Sequence, residues 1–171
     1  MKKFSLIIAI FFIFCNPVFS NVYDNPTDLE NISEYLPKMK SIRCKFKQEK
    51  YFKNIQKPIV SNGDFEFIEN KGVYFHTTYP VETYVDYTNK NYKQINDIIK
   101  AISAKKYSRL EKEFNFYYLQ KNDNWILGMK PKKESSASNY ILNITVSGID
   151  YISKIEISQT NGNKTLLWFT K

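Results

Sequence analysis

Few side chains in this sequence could carry out a reaction. His76 is the sole histidine, and Cys44 is the one cysteine outside the first twenty residues, which hold Cys15. A nucleophilic site needs a base beside its Ser, Cys or Thr, and a protein zinc site needs three or four His, Cys or carboxylate ligands. One His and one Cys, far apart in the chain, meet neither requirement. Asp64 and Asp86 are the aspartates nearest His76, but no nucleophile motif accompanies them. Glu111 and Glu113 stand among Lys106, Arg109 and Lys112, the pattern of a solvated charged surface. Gly72, Gly128, Gly148 and Gly162 lie singly at separate turns or strands, so no phosphate-cradling loop is expected. The expectation is no catalytic residue, no cofactor and no protein-ligated metal, with carboxylate sites for hard ions left open.

What remains is binding through apolar surface, and the stretch SIRCKFKQ at 41–48 shows its form. Ile42, Cys44 and Phe46 alternate with Arg43, Lys45 and Lys47, which predicts a strand with one dry face and one charged face. The same period of two runs through Phe65 and Phe67, through Trp125 and Leu127, and through Leu142 and Ile144. Thirteen Phe and thirteen Tyr suit a wide apolar surface with a polar rim, since aromatic rings cover area and a tyrosine hydroxyl can face water. Cys44 shares the face of Ile42 and Phe46 and reads as a small buried hydrophobe.

Those strands must be positioned by the rest of the chain. Residues 28–40 place Leu29, Ile32, Leu36 and Met39 at helical spacing, with Asp28 as N-cap and Pro37 forcing a kink or end near Leu36. Strands are predicted near 42–52, 59–69, 73–78 and 81–87, with Gly63 as a bulge and Tyr79-Pro80 as a break. After a turn at 88–92 and a brief strand through Ile95, residues 96–106 change period. Ile98, Ile99 and Ile102 form a stripe with Ala101, predicting an amphipathic helix of about three turns. Further strands follow near 113–119, 125–130, 140–146, 149–158 and 164–170, the last pair joined by Asn161-Gly162. The sum is an α+β, mainly antiparallel β fold of about 8–11 strands, an apolar concave side covered by helices.

Met1-Lys2-Lys3, an apolar run from Phe4 to Cys15, and Val18-Phe19-Ser20 have the form of a cleavable secretory signal peptide. The expected domains are that leader, 1–20, and a single domain, 21–171. Cys15 follows Phe14, not a small residue, so lipidation is not expected. The chain carries +8, of which Lys2 and Lys3 belong to the leader, leaving +6. Export argues against nucleic acid and favours an acidic protein or an anionic membrane surface as partner. Arg43, Lys45 and Lys47 are the candidate partner or headgroup surface, or else a plain solvated strand face.

Four stretches, in order, resemble the LolA family of periplasmic lipoprotein carriers. They are Leu36, Met39, Ser41-Ile42, Phe46 and Gln48; then Gly63, Phe65 and Phe67 followed by Tyr74-Phe75 and Tyr79-Pro80; then Trp125, Leu127, Met129 and Pro131; and Ile152 to Ile157 with Asn161-Gly162, Thr165 and Phe169. The resemblance covers most of 28–170. It implies an unclosed antiparallel β-barrel with helices as a lid over a hollow for lipoprotein acyl chains. It further implies a soluble periplasmic monomer that takes cargo from an inner-membrane ABC lipoprotein-releasing transporter and hands it to an outer-membrane acceptor. An envelope lipid-binding or stress-sensing module on the same scaffold is the alternative.

Under that resemblance the wall of the hollow comprises Phe46, Phe65, Phe67, Tyr74, Trp125 and Leu127, continued by Leu142, Ile144, Ile155, Leu167 and Phe169. The same positions would also serve as ordinary core. Ile98, Ile99 and Ile102 are the lid candidates, with Leu36 and Met39 as lid or core anchors. A helix packed permanently on the sheet is the alternative for the isoleucines. The family's pattern carries Arg then Trp where this chain has His76-Thr77, which leaves His76 as the candidate lid latch. A neutral imidazole has one donor against the five of an arginine.

Overall fold

The structure, a computed structural model, describes residues 21–86, 93–105 and 107–171. The leader at 1–20, the turn at 88–92 and Lys106 therefore lie outside the described residues. In chain order the strands are β1 (Pro26–Thr27), β2 (Ser41–Tyr51), β3 (Ile59–Ile68), β4 (Gly72–Tyr79), β5 (Thr83–Val85), β6 (Phe114–Lys121), β7 (Asn124–Pro131), β8 (Ile141–Gly148), β9 (Ile152–Gln159) and β10 (Lys164–Thr170). Three helices accompany them: α1 (Leu29–Ile32), α2 (Lys93–Ala104) and α3 (Ser108–Glu113).

All ten strands form one sheet in the order β1-β6-β7-β8-β9-β10-β2-β3-β4-β5, each described pair antiparallel. β1 and β5 stand at opposite ends of that order and do not pair with each other, so the sheet stays open. Most neighbours are sequential hairpins. The exceptions are β1 on β6 and β10 on β2; the latter's register sets Phe169 opposite Phe46 and Leu167 opposite Gln48, joining the two halves of the sheet on one core.

Two close approaches fix which side chains face that core. At Gly63 the β3–β4 register shifts, and a Cβ there would lie 2.0 Å from the His76 carbonyl oxygen. At Gly148 the β8–β9 register shifts, and a Cβ would lie 1.8 Å from the Tyr151 carbonyl oxygen. Only glycine lets the backbones meet this closely.

The helices depart from the sequence expectation. α1 is four residues, not a helix reaching Leu36, and Asp28 occupies its N-cap position without a side-chain capping bond. Leu36 and Met39 are still buried, carried into the core by turns. α2 begins at Lys93, so Ile95 belongs to the helix and not to a strand. The isoleucine stripe at 95, 98, 99 and 102 explains this, because helical period persists back through Ile95. β1 and α3 were not anticipated: two residues and six residues are too short to show a period.

Candidate functional site

One apolar cluster fills the space between the sheet's inner face and α2. Phe46, Phe65, Phe67, Trp125, Leu127, Ile144, Ile155, Leu167 and Phe169 all lie in it. Their rings and branches touch across strands: Phe46 meets Phe75 edge-on at 5.1 Å, and Phe65 lies 4.4 Å from Phe169 and 5.1 Å from Phe75. Opposite them Ile95, Ile98, Ile99 and Ile102 of α2 are buried, as are Leu36 and Met39. α2 thus packs its isoleucines into the same apolar cluster as the inward side chains of the sheet.

Two of the wall candidates face the other way. Tyr74 lies on the outer face, because Phe65 pairs with Phe75 and so turns Phe75, not Tyr74, inward. Two adjacent aromatics leave that choice open to sequence alternation, and the Gly63 bulge settles it. Leu142 is 59% exposed, because a register irregularity between Ile141 and Asn143 turns Ile141 inward in its place. Met129, Val146, Ile152 and Ile157 also belong to the inner wall. For Met129, Val146 and Ile157 the signal was present in the sequence as residues two apart from members already chosen; Ile152, three before Ile155, carried no such signal.

The structure does not bring His76, the candidate lid latch, to α2. His76 lies on the outer face of β4, its Nε2 3.0 Å from Glu82 Oε1 and its ring stacked on Tyr84 at 4.1 Å. The His76 hydrogen bond, and then one from Tyr84, hold the Glu82 carboxyl below its usual range. The contact that does tie α2 to the sheet comes from Asn96, whose Oδ1 accepts from the Val73 backbone N–H at 3.3 Å within the core. β5 covers β4 only from Phe75 to Thr77, so the Val73 amide extends beyond its edge partner and the helix supplies the acceptor. The sequence predicts a helix from 96, and nothing local to Asn96 announces that its side chain meets the sheet. Replacing Asn96 with alanine strands a buried donor, and about 1–3 kcal/mol of stability should be lost. Denaturant unfolding measures the loss, and amide exchange at Val73 should quicken more than exchange on β8 and β9.

Other polar groups near α2 are less well met. Ser103 Oγ on α2 and the Tyr107 hydroxyl between α2 and α3 are buried without a hydrogen-bond partner among the described residues. Asp97 joins Lys93 at 2.6 Å and Arg109 at 3.3 Å, which links α2 to α3 and not to the sheet. The seat of α2 on the sheet rests on its buried isoleucines, with the Asn96 bond beside them.

The outer face of β2–β4 answers the charged half of the 41–48 pattern. Arg43 bonds Glu66 at 2.6 Å and Lys45 bonds Asp64 at 2.5 Å, each pair directly opposite across β2 and β3. Lys47 bonds Glu49 at 2.8 Å and lies 5.6 Å from the Trp168 ring. All three candidate surface cations are thus met by carboxylates, and the chain's excess positive charge lies elsewhere. Farther along the sheet, burial alone would raise the Glu156 carboxyl, but hydrogen bonds from Lys164 and Lys154 hold it below its usual value.

A groove of about 1150 Å³ runs over this region, touching Arg43 to Lys45, Asp64 to Glu66, Tyr74 to His76 and Tyr84 to Asp86. Phe65 and Phe75 are 4% and 1% exposed, so they contribute backbone to it and the outward side chains form its walls. Cys44 is half-buried, and burial pushes its thiol up to about 11 from 9.0. At pH 8 its thiolate fraction should be roughly a hundredfold below that of a free thiol. Alkylation by iodoacetamide should slow by about that factor and recover on denaturation. Among the described residues no group of three or more His, Cys, Asp or Glu is placed to hold a metal ion.

No family model matches this chain, and no curated protein matches it. Among solved structures, a LolA superfamily protein from Nitrosomonas europaea is similar over 84% of this chain and 90% of that one, at 8% identity and a TM-score of 0.41.

Proposed function

We propose that this protein is a periplasmic carrier whose apolar interior exchanges α2 for the acyl chains of lipoproteins or lipids. In this reading it receives acylated cargo from an inner-membrane ABC transporter and releases it to an outer-membrane acceptor. The observation that carries the proposal is the seat of α2: four buried isoleucines on the inner face of an open sheet, the Val73 N–H donating to Asn96 Oδ1 within the core, and two buried hydroxyls without a partner among the described residues.

The energetics favour exchange. Burying four isoleucine side chains contributes on the order of 6–12 kcal/mol. A sixteen-carbon acyl chain gains on the order of 12 kcal/mol from the same source, at about 0.8 kcal/mol per methylene. Helix and lipid are then near-equal occupants of one space, and a modest difference in affinity shifts the population. A carrier needs that balance, since too strong a grip would stall delivery and too weak a grip would stall extraction.

The test is native mass spectrometry of the protein recovered from its own envelope. Bound lipoprotein or phospholipid is expected. A protein recovered empty that also ignores an added fatty acid contradicts the proposal.

A further inference from the structure

Large exposed apolar side chains gather at one end of the sheet. β2, β4 and β9 end there, while β3, β5, β8 and β10 begin there. The strand ends and loops there carry Ile55, Ile59, Tyr79, Val81, Tyr140 and Leu142, all more than half exposed. Hydrogen bonds join neighbouring segments at this end: Thr160 N–H donates to the Tyr140 carbonyl, Lys53 N–H donates to Asn163 Oδ1, and the Thr78 hydroxyl donates to the Asn62 carbonyl. At the opposite end the exposed large apolar residues are Tyr35 and Ile149, and Tyr35 leans on Tyr118 at 6.1 Å.

The same rim carries Lys50, Lys53, Lys57, Lys132 and Lys133, none in an ion pair among the described residues. The carboxylates there are Glu113, Glu134 and Glu82, and Glu82 is already engaged by His76. The rim is therefore net positive, in contrast to the neutralised ladder on the outer face of β2 and β3.

We infer that this rim is a docking surface for an anionic phospholipid membrane. From Leu142 on β8 to Tyr79 on β4 the sheet order counts five strand steps, about 24 Å at the usual strand spacing. The apolar side chains sit at separate strand ends and loops spread across that span. A protein partner recognises a contiguous patch, whereas a fluid bilayer accepts separate tips, each entering the interface with lysines at headgroup level. Lysines near an anionic leaflet are attracted within a Debye length. A cleft of about 290 Å³ opens on the same rim between Ile95 at the start of α2 and Phe52, Ile157 and Thr165, so docking would present the α2 end of the interior to the bilayer.

The experiment is flotation of the exported protein with vesicles of phosphatidylglycerol and phosphatidylcholine, against vesicles of phosphatidylcholine alone. Retention by the anionic vesicles is expected, falling by about tenfold when salt rises from roughly 0.05 M to 0.5 M. The paired substitutions Ile55→Glu with Val81→Glu, and Lys53→Glu with Lys57→Glu, should each lower retention at least tenfold while uptake of a free fatty acid is unchanged. These positions are exposed turn residues, so the variants should fold; circular dichroism checks it. No retention by anionic vesicles, equal retention by neutral ones, or retention indifferent to the substitutions overturns the inference. Fatty-acid uptake tests the carrier reading separately.

Discussion

Exchanging Ile98 and Ile102 for serine should free α2 from the sheet and raise acyl-ligand uptake. Both side chains are fully buried against the inner wall. Truncating a buried isoleucine costs about 2–5 kcal/mol, so the pair should cost about 4–10 kcal/mol, comparable with the entire stability of an ordinary domain. The loss falls on α2 because its fastening to the sheet is the isoleucine stripe and Asn96, while the strands keep their own ladders. If a docked helix blocks the interior, apparent affinity is reduced by the fraction of open molecules. Removing the block should therefore tighten binding of a fluorescent fatty acid by at least tenfold, while the strand amides stay protected. Unchanged uptake alongside falling stability would mean that α2 is plain core.

Gly63→Ala should be more damaging to the fold than any surface change. The new methyl would meet the His76 carbonyl oxygen at 2.0 Å, and its nearest neighbours are all backbone atoms that cannot rotate away. Overpacking usually costs about 1–3 kcal/mol where side chains can adjust; against backbone at this distance the cost should exceed about 3 kcal/mol. The β3–β4 register should slip, and a slip by one residue would turn Phe65 and Phe67 from core to solvent. Thermal unfolding and amide exchange on β4 measure it. A variant as stable as the parent would show that the bulge does not pin the register.

Period-two alternation made most of the buried face legible, since Phe65, Phe67, Trp125, Leu127, Ile155, Leu167 and Phe169 all lie in one buried cluster. It failed where the register shifts. Leu142 turned outward at an irregularity that no residue in Tyr140 to Asn143 announces, and Tyr74 lost its place to Phe75 because both are aromatic. Helix period revealed the isoleucine stripe but not what fastens it. Asn96 is fixed by which backbone amide on β4 extends beyond β5, a consequence of sheet topology and not of local sequence. His76 drew attention as the sole histidine, yet its position is set by the same parity that sends Asp64 and Lys45 outward. The rim of turn residues was hidden for another reason: Ile55, Val81 and Tyr140 lie far apart in sequence, and only the strand order brings them to one end.

The central claim is that acyl chains and α2 compete for one interior. Hydrogen exchange on the protein with and without a saturating sixteen-carbon fatty acid tests it most directly. The account predicts that ligand strips protection from the amides of 95–104 while those of β2, β3 and β7–β10 hold or gain protection. Ligand that binds while α2 keeps or increases its protection would contradict it, because the lipid would then occupy a place that the helix never filled.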